Sequence, residues 1–184
     1  VVASRVLWTD GRDQPANTPR RRRGSTRLQM ERAPAAHAIP IRTASFASAL
    51  LDAPSVREWG LPIADYFLWN DDFEYTARLL RDGVGLYCPA SVVVHRTAAF
   101  TNDAADPGER FYFEVRNKLW VLARSRSLRW GERVLFAGAT TVRWARVWWA
   151  AGARGRLWSH GWRWVRDSWQ LPRTNAEAVP CTHL

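Results

Sequence analysis

Twelve residues, Phe67-Leu68-Trp69-Asn70-Asp71-Asp72-Phe73-Glu74-Tyr75-Thr76-Ala77-Arg78, constrain the chain more than any other stretch, because an aromatic, apolar run passes straight into two carboxylates and helical spacing. The spacing predicts a helix over 72–81 that stops at Gly83, with 66–69 ending an extended or turning segment before it. Asp71 is the expected N-cap, and Glu74, three residues on, would close a capping box. On such a helix Asp72, Tyr75 and Leu79 share one face, while Glu74 and Arg78 form an i,i+4 pair on another. Asp72 then sits in the first turn at the edge of the buried side, where the positive end of a helix favours a carboxylate. This suits a base at the rim of a cleft; the competing reading is a carboxylate pair that only caps and solvates the helix start.

The period changes after Gly83. Residues 84–87 and 91–94 read as two short strands split by Cys88-Pro89-Ala90, and His95 closes the second. Helix, glycine, strand and terminal histidine would bring His95 back beside Asp72.

These residues carry a resemblance. Residues 47–95 resemble the acceptor-side half of the inverting, nucleotide-sugar-dependent glycosyltransferases of the large family 2, which carry an acidic pair in a tryptophan-containing segment, an E-Y-x-x-R helix and P-x-x-x-x-x-H. Here the pattern is Trp69, Asp71, Asp72, Glu74, Tyr75, Arg78, Pro89 and His95, preceded by Gly60-Leu61-Pro62. The similarity is strongest to galactofuranosyl- and rhamnosyl-transferases of cell-wall assembly, and Tyr112-x-x-x-Arg116-Asn117 resembles the segment that follows their histidine. The resemblance implies an α/β chain forming the C-terminal half of a GT-A fold. It implies Asp72 as general base, Asp71 positioning the acceptor, and His95 ligating a divalent cation, Mg²⁺ or Mn²⁺, that bridges the donor diphosphate. Trp69, Glu74, Arg78, Arg116 and Asn117 would contact acceptor or phosphate, or support the cleft. The implied partners are a nucleotide-diphosphate sugar and a glycan or polyprenyl-diphosphate-linked acceptor. The family's nucleotide-binding α/β unit and aspartate-rich metal motif have no match here, so the chain is expected to be inactive alone.

Three regions follow. Residues 1–42 hold nine arginines against three acids and are expected to be a strand followed by a basic flexible loop around Arg20-Arg21-Arg22-Arg23. Residues 43–123 form the acceptor-side half, with a short helix over 53–59 capped by Asp52 or Ser55, and a polar loop over 96–110. The block 43–95 holds seven acids and three bases, a negative patch between positive flanks that fits a metal or a cationic transition state. From Phe111 the spacing Phe111, Val115, Leu119, Leu122 predicts a helix. Residues 124–184 are the expected tryptophan- and arginine-rich helical extension. There Trp130, Val134, Ala137, Thr141, Trp144 and Trp148 share a stripe, with Arg133, Arg143 and Arg146 off it. Such a helix reads as interfacial, placing the protein peripherally on the anionic, cytoplasmic face of the cell membrane; packing on another protein surface is the alternative. Residues 155–170 repeat the theme with Trp158, Trp162, Trp164 and Trp169.

Two cysteines, Cys88 and Cys181, do not build a disulfide scaffold, and no histidine has a cysteine or histidine partner at zinc-ligand spacing. The net charge of +10, with aromatics interleaved among arginines, supports a second reading: a non-catalytic basic module for anionic lipid or nucleic acid. The acidic centre and the lack of a recognised module argue against specific nucleic-acid binding.

Overall fold

The structure, a computed structural model, describes residues 1–25, 27–97, 100, 111–150, 166–167 and 169. It is a mixed α/β fold. Five strands, β1 (Val2–Leu7), β2 (Arg20–Arg21), β3 (Ile39–Thr43), β4 (Ala49–Leu50) and β5 (Leu86–Val94), form one sheet in the order β2-β3-β5-β1-β4. The helices are α1 (Arg27–Ala35), α2 (Ala53–Trp59), α3 (Asp71–Leu79), α4 (Phe111–Ala123) and α5 (Trp130–Ala150). Among the described residues only β1 and β5 pair in parallel; the other pairings are antiparallel. A parallel pair needs a long crossover, and the connection between these two strands carries α3.

Helix α3 lies between two apolar clusters, which is why the twelve-residue stretch dominates the fold. On its sheet side Leu80, just past its end, packs with Ala3, Ile41 and Ala44; on the other, Phe73 and Ala77 pack with Tyr66, Trp120, Val121 and Leu128. Gly85 permits the sheet-side approach, since a Cβ there would lie 2.8 Å from the Ile41 carbonyl oxygen and 2.6 Å from a Leu80 methyl. Buried Arg42 ties the halves together: it pairs with Glu132 at 2.6 Å and donates to the carbonyls of Ala77 and Ser127.

Several expectations are met. Helix α2 covers Ala53–Trp59, with the Asp52 carboxylate accepting from the Ser55 N–H at 3.0 Å and Gly60 ending it at φ 72°. Helix α4 begins at Phe111, although its buried face runs through Glu114, Val115, Lys118 and Val121 rather than through Leu119 and Leu122.

Others are corrected. The basic segment is not simply a loop: β2 pairs with β3, α1 follows, and Arg22 turns inward to donate to the carbonyls of Leu80 (2.7 Å), Arg81 and Gly83. The arginine run thus caps the end of α3, an arrangement that binary patterning does not encode. The two strands expected around Cys88-Pro89-Ala90 are one strand. Its pairing with β1 jumps from Ser4–Cys88 to Arg5–Val92, because Pro89 has no N–H to give and the ladder bulges there.

Helix α5 forms as expected but is turned differently. Arg133 donates to the carbonyls of Ser125 and Leu128, Arg143 lies 3.2 Å from Glu114, and the Trp144 indole N–H is buried. Three of the six residues expected at an interface therefore face inward, while Trp130 and Arg146 are exposed. The Trp148 side chain, most of the 96–110 loop, Cys181 and the tryptophans at 158, 162 and 164 lie outside the described residues.

Candidate functional site

The entry to α3 is an unusual turn. After a short 3-10 turn over Ala64–Tyr66, Phe67, Trp69 and Asn70 take φ of 57°, 61° and 63°, the left-handed region that side chains disfavour by about 1–2 kcal/mol each. A clamp from α4 holds them. Asn117, fully buried, directs its amide N–H groups at the carbonyls of Tyr66 (2.7 Å), Leu68 (2.8 Å) and Trp69 (2.7 Å). Arg116 accepts no role at the solvent edge: it donates to the Asp65 carbonyl at 2.7 Å and stacks 4.4 Å from the Trp120 ring centre. Asn70 donates to Glu114 at 2.8 Å.

The cap differs from expectation. Asn70, not Asp71, is the N-cap, and its side chain makes no cap bond because it is committed to Glu114. Asp71 is the first helical residue. Glu74 closes no capping box; it pairs with Arg78 at 3.1 Å, as its i,i+4 spacing predicts, and accepts from Ser125 at 2.8 Å. Arg78 also donates to the carbonyls of Trp59 and Leu61. Glu74, Arg78, Arg116 and Asn117 are thus engaged within the fold. Trp69 is half-buried beside them.

Asp72 is the carboxylate with chemistry to spare. It accepts from the Phe73 N–H at 2.6 Å, feels the nearby Ser45 hydroxyl, and keeps part of its surface accessible. Burial, followed by the neighbouring Asp71 charge, raises its pKa above the ordinary aspartate value; the Phe73 N–H, Ser45 and Lys118 pull the other way. Thr76 explains why Ser45 is there. Its hydroxyl accepts from the Ala44 N–H at 3.0 Å and lies 2.7 Å from the Asp72 carbonyl, pinning the chain after β3 against the first turn of α3.

A line of side chains runs on from Ser45. The Ser45 hydroxyl donates to the Asn17 amide oxygen at 2.7 Å, the Asn17 amide donates to Gln14 at 2.6 Å, and His95 Nδ1 lies 2.8 Å from the same Gln14 oxygen. Nδ1 donates to Gln14 Oε1 in one tautomer of the imidazole and accepts from the Asn17 amide in the other. The Asn17 nitrogen also lies 3.1 Å from His95 Nδ1. His95, Gln14, Asn17 and Ser45 thus form one polar chain whose Ser45 end comes near Asp72.

The comparisons find no relative. No family model matches the chain, and neither a curated protein nor a solved structure matches it. The site rests on its own geometry.

Among the described residues no three His, Cys, Asp or Glu side chains converge to hold a metal ion. His95 offers one imidazole nitrogen, which does not amount to a metal centre, and no step below is routed through an ion. Sequence reasoning also missed Lys118. Its ammonium is buried 4.4 Å from the Phe73 ring centre, and its pKa is lowered to about 8, chiefly by burial and also by Arg20 and Arg143, with Glu114 and Asp72 opposing. A lysine at three- and four-residue spacing from Glu114, Val115 and Val121 was the available signal. Gln14, Asn17 and Ser45 gave none beyond amides one helical turn apart.

Proposed function

We propose that this chain is the acceptor-side part of an inverting glycosyltransferase with the GT-A fold, in which Asp72 is the general base. The observation that carries the reading is the Asp72 carboxylate itself: half-buried at the first turn of a core helix, raised in pKa, and held by the Phe73 N–H. A base of that kind, nearer neutrality than an ordinary aspartate, takes a hydroxyl proton more readily. In the reaction, the acceptor oxygen attacks the anomeric carbon of a nucleotide-diphosphate sugar as its proton passes to Asp72. The bond from that carbon to the diphosphate oxygen breaks, and its electron pair leaves with the nucleoside diphosphate. One displacement inverts the anomeric configuration. Galactofuranose and rhamnose are the favoured sugars on the sequence pattern.

The test is transfer from UDP-galactofuranose or dTDP-rhamnose to a glycan or polyprenyl-linked acceptor, using the intact gene product that contains this chain. Asp72→Asn is expected to lower turnover by roughly 10²–10⁴-fold with donor binding retained. Asp71→Asn, at a helical position rather than the base, is expected to keep more activity, its loss showing in acceptor KM. A folded Asp72→Asn protein with parental turnover would remove the assignment. Salt-sensitive nucleic-acid binding that competes with transfer would favour the basic-module reading instead.

A further inference from the structure

We infer that α5 docks flat on an anionic lipid bilayer through a face that keeps Trp130 and Val134 of the tryptophan stripe but is turned away from Trp144. In an ordinary surface helix the charges face water and the apolar side faces the core. Helix α5 is reversed. Glu132, Arg133 and Arg143 are drawn inward by Arg42, the Ser125 carbonyl and Glu114, and Phe136 packs edge-on against Phe73 at 5.1 Å. The outward face carries Trp130, Val134, Leu135, Val142 and Trp149, between 51% and 79% exposed, and Arg146 is its one exposed charge. At 100° per residue these side chains fall within one half of the helix circumference; exposed Thr141 lies among them but returns its hydroxyl to the Ala137 carbonyl at 3.0 Å, and the glycines and alanines between add no polar group.

Charge and aromatic placement choose the occupant. The indoles of Trp130 and Trp149 stand at opposite ends of a face about 28 Å long, and on a helix lying in the interface plane both reach the headgroup region that indoles favour. Exposed Arg124 and Arg126 sit in the turn before α5, and Arg146 near its other end, so cations flank the apolar strip where anionic headgroups would lie. No described helix is long and apolar enough to cross a membrane, so the strip lies in the interface plane and does not span it. Docked this way, the Phe73–Phe136 contact holds the first turn of α3, with Asp72, on the far side of α5 from the lipid.

Co-sedimentation of the 184-residue chain with vesicles tests this, using phosphatidylcholine alone or mixed with phosphatidylglycerol. Binding is expected to need the anionic lipid and to weaken with salt. Leu135→Glu and Val142→Glu, both exposed and so compatible with folding, are each expected to weaken it by about tenfold or more. Arg126→Glu with Arg146→Glu should lower binding to anionic vesicles, with the melting temperature unchanged. Vesicle binding that the two glutamate substitutions leave untouched overturns the proposal. So does a concentration-dependent dimer in lipid-free sedimentation that Leu135→Glu dissociates, since a second copy would then cover the face.

Discussion

Truncating Asn117 to alanine tests how the candidate site is held. The side chain supplies two N–H donors to three carbonyls, those of Tyr66, Leu68 and Trp69. Arg116 also reaches the Tyr66 oxygen, at 3.4 Å, so the carbonyls of Leu68 and Trp69 lose the most. A buried acceptor left without a donor costs about 1–3 kcal/mol, and two that are only partly screened from water put Asn117→Ala at about 2–4 kcal/mol. The three left-handed residues Phe67, Trp69 and Asn70 limit the loss, because a freed turn relaxes toward commoner backbone angles. For a chain of this length that is a fall in Tm of about 5–15 °C. Equilibrium urea unfolding measures the free energy and calorimetry the Tm. Limited proteolysis supplies a local readout, with cutting expected first in 67–70 while α4 stays protected. Asn117→Asp, which replaces donors by a carboxylate facing carbonyls, should be worse than alanine. An alanine variant within about 0.5 kcal/mol of the parent, uncut in this turn, would refute the clamp.

Two more perturbations probe the surroundings. Arg42→Ala leaves Glu132 and two carbonyls without their buried partner and is expected to cost about 3–5 kcal/mol, read by urea unfolding; a change under about 1 kcal/mol would mean that water replaces the guanidinium. Asp72 has a folded pKa above its unfolded one, so the folded state holds the proton more tightly and stability falls as pH rises above the ordinary aspartate value of 3.8. Asp72→Asn should therefore melt above the parent at pH 7, with the gap closing below about pH 4. A variant less stable than the parent at neutral pH would show that the charged carboxylate is a net structural asset and not a strained base.

The chain's local pattern is sufficient for what repeats along it. Period and capping chemistry mark α2 at Ala53–Trp59, the helix beginning at Phe111, the Glu74–Arg78 pair and the end of the strand at His95, because each depends on residues within a few positions of one another. What depends on distant partners is decided by packing. Asn70 becomes the cap because Glu114, 44 positions away, draws its side chain and Asn117 fixes its backbone. Arg22 leaves the basic run to cap α3, and Arg133 leaves the expected outer face of α5, because buried carbonyls bind guanidinium more strongly than solvent exposure favours it, while Arg143 turns toward the Glu114 charge at 3.2 Å. The polar chain from His95 toward Asp72 uses Gln14, Asn17 and Ser45, three small polar residues with no period, brought together only when β1 and β5 pair in parallel and Thr76 pins the end of β3. Sequence determined α2 to α5 and the pair of carboxylates; tertiary structure decided that the basic segment holds α1 and which carboxylate is shielded from water, since burial depends on what packs above a residue and not on what adjoins it in the chain.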